Sequence, residues 1–287
     1  RAYNTKRAYL SDLEDFVSWG GGIPASAECI AAYLADKAAD LTVSMLRKRL
    51  AALAWVHRGR RYADPTKHQI VVDVMRGIER HHGVRQHQAK PLLYQNLLEI
   101  CSTLGSTPKD KRDRTLLTFG FFSAMRGTEL VSTRIEDLTF QDNCIEVLIR
   151  RSKTDQTSQG RTIAIPIIGG VACPFTALRV WLSSNQKASG YLFSAYRTAA
   201  GGNAHLSVRQ VSRIMATRAK QCGLANDGYS SHGLRAGFIT SAHDLGLDLI
   251  WATKQSGHRS LRTAQRYARP DPTDVTCRIV QRLARDQ

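Results

Sequence analysis

Side chains suited to phosphate chemistry are concentrated in residues 230–270, which contain His232, Arg235, His258 and Tyr267. A histidine and an arginine three positions apart lie on one face of a helix, where both can reach a single anion. A tyrosine hydroxyl close to further cations can attack a phosphate and form a covalent intermediate. These spacings predict a phosphate-binding helix followed by a candidate nucleophile, and the other elements must supply the rest of the site.

The composition of the chain indicates a partner of opposite charge. Its 287 residues include 41 Lys and Arg against 24 Asp and Glu, a formal net charge of +17. Nucleic acid is a better candidate than a membrane, because no apolar run approaches the roughly 20 residues that cross a bilayer. With no signal peptide pattern after Arg1, we expect a cytoplasmic protein, encoded by a bacterium or phage and associated with the nucleoid. We also expect residues to be missing before Arg1, which is not a Met.

Cysteines and carboxylates are not spaced as metal ligands. No Cys-x-x-Cys pair occurs among Cys29, Cys101, Cys144, Cys173, Cys222 and Cys277, which favours reduced structural thiols over a zinc site or disulfides. No carboxylate cluster suited to two divalent cations accompanies the histidines and arginines. The sequence therefore predicts phosphate chemistry without a metal or another cofactor.

Helical periodicity dominates the first part of the chain. Four apolar patterns of helical spacing, without strand signals, predict an all-α domain over residues 1–83. Residues 84–91 lose this periodicity and are predicted to be a linker, followed by a second domain over residues 92–287. Both parts are basic, which suggests a clamp around a duplex. The candidate DNA contacts here are Arg47, Lys48, Arg58, Arg60, Arg61 and Lys90.

The second domain combines helices with one region of strand-like alternation. Helices are predicted near residues 92–104 and 115–124, and the second leads directly into Arg126. Residues 144–150 and 162–166 alternate and predict a β-hairpin with a long basic tip centred on Lys153. Further helices follow, ending with one over about residues 273–285. The fold class predicted is mainly α with a small antiparallel β-sheet, and the hairpin adds Arg150, Arg151 and Arg161 as candidate DNA contacts.

Taken together, these motifs resemble the tyrosine recombinases of the phage integrase family, in layout like its Cre and Xer branches. The resemblance covers about residues 115–270 and extends more loosely to the amino-terminal helices. It implies a two-domain, C-shaped DNA clamp built from an all-α core-binding domain and an α+β catalytic domain. The motifs occur in the family's order: Arg126-Gly-Thr-Glu129-Leu, the hairpin lysine Lys153, His232-Gly-Leu-Arg235, Gly257-His258 and Tyr267.

The resemblance assigns the central roles to two arginines and a tyrosine. Arg126 and Arg235 correspond to the catalytic pair that holds the scissile phosphate, a task suited to a permanently charged, two-pronged donor. Tyr267 corresponds to the nucleophile, which forms a 3′-phosphotyrosine link that conserves the energy of the phosphodiester bond. For an isolated arginine, a surface salt bridge is the simpler interpretation.

The remaining site residues have supporting roles by the same resemblance. Lys153 corresponds to the general acid for the departing 5′ oxygen, although a phosphate-backbone contact is an alternative. His232 and His258 correspond to hydrogen-bonding groups against the phosphate, and a packing role is the alternative for a lone histidine. Glu129 corresponds to an acidic residue that orients a catalytic cation, with a buried ion pair as the alternative.

The resemblance also implies partners. It predicts double-stranded DNA with inverted-repeat half-sites and a homotetramer, a dimer at each site, that exchanges strands through a Holliday junction. Val275, Ile279 and Leu283 form a stripe on the last helix that would contact a neighbouring protomer, or alternatively its own domain. Other hypotheses stay open: a type IB topoisomerase, a hairpin telomere resolvase, or a DNA-binding protein without catalysis.

Overall fold

The computed structural model describes residues 3–83, 89–150, 160–194, 205–224 and 228–258. The chain divides into two compact units, Arg1–His87 and Gln88–Gln287. Lys153, Arg151, Tyr267, the first part of the predicted linker and the predicted last helix lie outside the described residues.

The first unit is all-helical, as its periodicity predicts. It contains α1 (Tyr3–Ser18), α2 (Ala27–Lys37), α3 (Val43–Gly59) and α4 (Gln69–His82), with a short 3₁₀ turn, Pro65–Lys67, before α4. Ser26 and Thr42 start α2 and α3 by accepting hydrogen bonds from the backbone N–H groups of Cys29 and Met45. Such side-chain caps satisfy amides that the first helical turn leaves without partners.

The first unit has its own core, centred on Phe16, Tyr33 and Leu46. The buried face of α1 follows Tyr9, Leu13 and Phe16, and Val17, at the margin of that face, is 56% exposed. His57 is fully buried with a packing role: its Nδ1 lies 2.8 Å from the Leu53 carbonyl, and its Nε2 accepts from the Ala25 amide at 3.0 Å.

The second unit is mainly helical with one small antiparallel sheet, which confirms the predicted fold class. The helices are α5 (Tyr94–Thr103), α6 (Pro108–Ser123), α7 (Gly127–Ser132), α8 (Pro174–Asn185), α9 (Val208–Gln221), α10 (Ser231–Asp244) and α11 (Leu249–Ser256). The strands are β1 (Leu138–Phe140), β2 (Cys144–Ile149) and β3 (Arg161–Pro166), in the order β1-β2-β3.

Two elements of the second unit differ from the expectations. The sheet has a third strand, β1, which the alternation analysis missed because it is three residues long and mostly exposed. Helix α6 begins at Pro108 rather than near Thr115, since its first turns are charged and carry no apolar pattern. Its start is nevertheless marked by Thr107, which accepts from the Asp110 amide, and by proline at the first helical position.

Helix α6 is the central element of the second unit, with Leu116, Leu117, Phe119 and Phe121 almost completely buried. Gly120 lets the neighbouring elements approach closely, because a Cβ there would lie 2.8 Å from the Leu234 side chain of α10. Helix α6 thus fixes α10, which carries two of the predicted site residues.

A buried ion network fastens the beginning of α6 to α9. Asp113, which is 1% exposed, accepts from the Arg112 Nε at 2.9 Å and from the Arg218 Nε at 2.8 Å. Arg218 also donates to Asp110 at 2.7 Å. Because each buried charge has an opposite partner, the network avoids the large cost of an unpaired buried ion.

The segment preceding α5 packs against the glycine face of α10. The Leu92 amide donates to the Gly233 carbonyl at 3.0 Å, and the Lys90 amide donates to the Gly228 carbonyl at 2.9 Å. A Cβ on Gly237 would lie 1.8 Å from the Leu92 carbonyl oxygen, so only glycine fits. The described end of the predicted linker, residues 89–91, therefore packs as part of the second unit.

None of the helices in the described ranges is both long and apolar enough to cross a membrane. Within these same ranges, no group of three or more His, Cys, Asp or Glu side chains is arranged to hold a metal ion. The cysteines that the structure describes, Cys29, Cys101, Cys144, Cys173 and Cys222, are free thiols.

The contact between Gly237 and Leu92 predicts a strong effect of one added methyl group. Gly237→Ala should lower the free energy of unfolding by about 1 to 3 kcal/mol, because the backbone of residue 92 must move. Gly77→Ala is the matched control: Gly77 lies inside α4 with open space around it, so alanine should stabilise by about 0.5 to 1 kcal/mol. Urea denaturation followed by circular dichroism measures both, and an unchanged midpoint for Gly237→Ala would contradict the packing described.

Candidate active site

The carboxyl end of α11 is the place where the site is assembled. The helix ends at Gly257, which adopts a left-handed conformation with φ of 67°. The amides of Gly257 and His258 both donate to the Thr253 carbonyl, at 2.8 and 3.1 Å. This turn leaves the last carbonyl groups of α11 available, and the helix dipole makes that end attractive to cations.

Arg235 ties α11 to α6 from the middle of α10. Arg235 is 1% exposed, and its Nη1 donates both to the Ala124 carbonyl, at 2.9 Å, and to the Ser256 carbonyl. Ala124 is the residue that ends α6 in a left-handed conformation. One side chain of α10 therefore connects the ends of two other helices, which fixes its own position.

Arg126 reaches the same end of α11 from the start of α7. Its Nη2 lies 3.4 Å from the Gly257 carbonyl, and its Nη1 donates to Glu129 at 2.8 Å. Glu129 also accepts from the Arg126 backbone amide at 3.0 Å, so it caps α7 as well. The Glu129 side chain is 2% exposed and that of Arg126 is 19% exposed. Glu129 therefore forms a buried ion pair, and its partner is Arg126, a predicted site residue.

The two predicted histidines lie beside these arginines and have depressed pKa values. Burial, the Arg235 charge and then the Arg126 charge lower the pKa of His258 to about 3. The same three causes lower the pKa of His232. Surrounding protein atoms partly desolvate its imidazole, although the residue as a whole is exposed. His258 is also held through Nδ1, 2.8 Å from the Ser256 hydroxyl. Both imidazoles are therefore neutral at physiological pH in the unbound protein.

The described part of the site thus concentrates positive charge around a small region of α10 and α11. The structure brings together Arg126, Glu129, His232, Arg235 and His258, which are distant in sequence. An anion placed among these groups would be held by guanidinium donors and would ease the protonation of both histidines. Lys153 and Tyr267, the predicted acid and nucleophile, lie outside the described residues.

Comparison with known families decides the assignment. The model of the phage integrase family matches residues 90–274, which is most of the second unit and includes every predicted catalytic residue. The chain belongs to the phage integrase family. This confirms the resemblance deduced from the motifs.

Curated relatives identify the branch of this integrase family. The integrase/recombinase xerD homolog of Selenomonas ruminantium is 31% identical over 278 residues, covering 93% of this chain and 82% of the relative. The tyrosine recombinase XerA of Pyrococcus furiosus is 28% identical over 172 residues, covering 60% and 55% respectively. The chain is a site-specific tyrosine recombinase, an enzyme that cleaves and rejoins DNA. These matches favour it over the topoisomerase, telomere-resolvase and non-catalytic hypotheses.

Solved structures show the same fold at low sequence identity. The XerH recombinase bound to palindromic difH substrate, a post-cleavage complex, superposes with a TM-score of 0.71 at 19% identity, covering 95% of this chain and 77% of that one. A lambda integrase tetramer bound to a Holliday junction gives a TM-score of 0.65 at 18% identity, covering 93% and 72%. The predicted recombinase fold is thereby confirmed.

The candidate DNA contacts of the integrase show several ion pairs that sequence reasoning did not anticipate. Arg47, Lys48 and Arg58 pair with acidic neighbours of their own unit, and Arg150 pairs with Asp137 of the second unit. Arg60 and Arg61 are exposed, whereas the Lys90 ammonium lies 4.8 Å from the centre of the Tyr229 ring. The partners are Glu79 for Arg47, Asp12 for Lys48 and Asp64 for Arg58.

Arg161 lies at the carboxyl end of α11, a position that its sequence pattern had not been used to predict. It was predicted as a DNA contact on the hairpin, but its guanidinium lies against the carboxyl end of α11 and donates to the Gln255 carbonyl at 2.8 Å. The strand pattern contained the relevant signal: Arg161 shares its alternation with Ile163 and Ile165, which are both buried. A residue on that face points toward the protein interior.

The depressed pKa of His258 predicts a titration that depends on bound anion. In the free protein the His258 ring should titrate near pH 3, far below the usual value of about 6.5. An anion beside Arg126 and Arg235 should raise this pKa, because negative charge stabilises the imidazolium. Proton–nitrogen NMR with and without vanadate measures the shift, and the spectrum of His258→Gln assigns the signal. A midpoint near 6.5 without anion would contradict the geometry.

Proposed function

We propose that this recombinase cuts DNA with Tyr267 while Arg126 and Arg235 hold the scissile phosphate. The observation that supports this most strongly is the convergence of both arginines on the end of α11. Tyr267 follows α11 by eleven residues, so the helix that both arginines hold also leads toward the candidate nucleophile.

The reaction follows from these groups. The Tyr267 oxygen attacks phosphorus, its proton passes to a base, and the 5′ oxygen leaves with a proton from Lys153. The phosphorus–oxygen bond lost to the leaving group is replaced by the 3′-phosphotyrosine bond. Attack on that bond by a 5′-hydroxyl of another strand then reseals the DNA and releases the tyrosine. The two guanidinium groups stabilise the extra negative charge on the phosphorane.

The histidines supply groups that change role as the phosphate binds. A neutral His232, with its lowered pKa, can accept the tyrosine proton at physiological pH. His258, oriented through the Ser256 hydroxyl, can donate to a non-bridging oxygen. Their pKa values are low because positive groups surround them, so arrival of the phosphate favours the protonated forms.

Glu129 is proposed to be a positioning residue. Its carboxylate takes one hydrogen bond from the Arg126 backbone and one from the Arg126 side chain, which leaves few orientations open to the guanidinium. The fork that faces the phosphate is then fixed before DNA arrives, and no reorganisation is needed during the reaction.

The substrate is proposed to be a duplex with two inverted half-sites, bound by a dimer and paired with a second such site in a tetramer. The XerH complex with a palindromic substrate and the lambda integrase tetramer on a Holliday junction support this arrangement. Residues 1–83 serve as the core-binding domain, 84–91 as the linker and 92–287 as the catalytic domain. The net charge of +17 suits contact with phosphates on both sides of a duplex.

Tyr267→Phe should abolish covalent attachment to DNA. On a nicked suicide substrate, the wild-type protein should accumulate an adduct that resists denaturing gel electrophoresis, whereas the variant should form none and still bind the duplex. Tyr229→Phe is the matched control: Tyr229 is buried in the second unit and stacks with Lys90, so its adduct should persist. An adduct formed by Tyr267→Phe would show that another residue is the nucleophile.

The tetramer depends, in this proposal, on the last helix. Deleting residues 272–287 should leave cleavage of the suicide substrate measurable but prevent two duplexes from joining in one complex. Native gel electrophoresis with two duplexes of different length detects the joined species. Replacing Val275, Ile279 and Leu283 with serine tests the apolar stripe alone, and an unchanged tetramer in either variant would refute this assignment.

A further inference from the structure

Arg161, at the start of β3, has more contacts with the end of α11 than a peripheral DNA-binding residue requires. Its Nη1 donates to the Gln255 carbonyl at 2.8 Å and lies 3.4 Å from the Lys254 carbonyl. Its Nη2 lies 3.3 Å from the Ser256 carbonyl. Both terminal nitrogens of the guanidinium therefore contact the last carbonyl groups of the helix.

Arg161 also faces the Arg126 and Glu129 pair. Its Nη2 lies 3.8 Å from the Glu129 Oε2, so one carboxylate is shared between two guanidinium groups. The Arg161 side chain is only 24% exposed, and burial lowers the pKa of its guanidinium. The guanidinium of Arg161 is therefore turned toward the protein.

The glycine that ends α11 leaves room for this guanidinium. A Cβ on Gly257 would lie 2.9 Å from both Cζ and Nε of Arg161. The close approach brings the Arg161 charge near His258, where it is one of the causes that lower the pKa of that histidine. Arg161 thus acts on the turn that carries His258 and on the carboxylate that holds Arg126.

We propose that Arg161 is a positioning residue for strand cleavage, which fixes the turn Ser256–His258 and the Arg126–Glu129 pair together. This inference rests on the proposed function. It assigns to Arg161 no contact with the reacting phosphate. The hairpin strand is thereby connected to the arginine cluster through a side chain and not only through the core.

The test compares three variants in single-turnover cleavage of the suicide substrate. Arg161→Gln removes the charge and the fork and should slow cleavage by about 10- to 100-fold, as small misplacements of reacting groups do. Arg161→Lys keeps the charge and should recover part of the rate. Arg179→Gln is the matched control, since it removes an exposed arginine of α8 outside the cluster and should cleave at the wild-type rate.

Two results would overturn the positioning role. One is cleavage by Arg161→Gln at the rate of Arg179→Gln. The other is a defect expressed wholly as weaker binding of uncut duplex, which would make Arg161 a DNA contact; the proposal expects affinity within about twofold of wild type. Circular dichroism of each variant establishes that it is folded, and Arg161→Lys serves as the second variant if Arg161→Gln is not.

A measurement without DNA separates this inference from the proposed function. Arg161→Gln should raise the pKa of His258 because a neighbouring positive charge is lost, whereas Arg161→Lys should leave it low. Failure of the wild-type protein to form a covalent adduct would refute the proposed function. Independently of that result, an unchanged pKa of His258 in Arg161→Gln would refute the role of Arg161.

Discussion

The site depends on the hydrogen bonds that three guanidinium groups donate to the backbone carbonyl groups at the carboxyl end of α11. A helix end with unsatisfied carbonyl groups attracts cations, and here the cations are Arg126, Arg161 and Arg235 from α7, β3 and α10. Each arginine thereby gains a fixed position, and each element that bears one is tied to the same point. The arginines of the proposed phosphate site are thus positioned by hydrogen bonds to the backbone at the end of a short helix.

Bringing these positive charges together has an electrostatic cost, and among the described residues Glu129 is the carboxylate that pairs with two of the arginines. Glu129 is shared between Arg126 and Arg161, while His232 and His258 stay neutral because their pKa values are depressed. A bound phosphate would relieve the repulsion among these groups. The free enzyme is therefore prepared for an anion, which is the preorganised arrangement that favours a negatively charged transition state.

The order and types of the motif residues predicted a common site for Arg126, Glu129, His232, Arg235 and His258, which the structure brings together, while their catalytic roles stay predictions. Periodicity located most of the described helices. It missed β1, which is too short for alternation to be visible, and the first turns of α6, which are charged. It did not predict the contacts of Arg161 with α11, although the shared alternation of Arg161 with Ile163 and Ile165 indicated an inward face; its role as a DNA contact stays a prediction. Contacts such as those of Arg235 with two helix ends depend on tertiary packing, which no local pattern reports.

The central claim is that Arg126 and Arg235, two of the three arginines at the end of α11, receive the scissile phosphate. A crystal structure of the Tyr267→Phe variant with an uncut duplex site tests it directly, since the substitution removes the nucleophile and keeps the substrate whole. The account predicts the scissile phosphate within hydrogen-bonding distance of Arg126 and Arg235, with His232 and His258 beside it. A scissile phosphate bound away from both arginines, with their contacts to α11 unchanged, would contradict it.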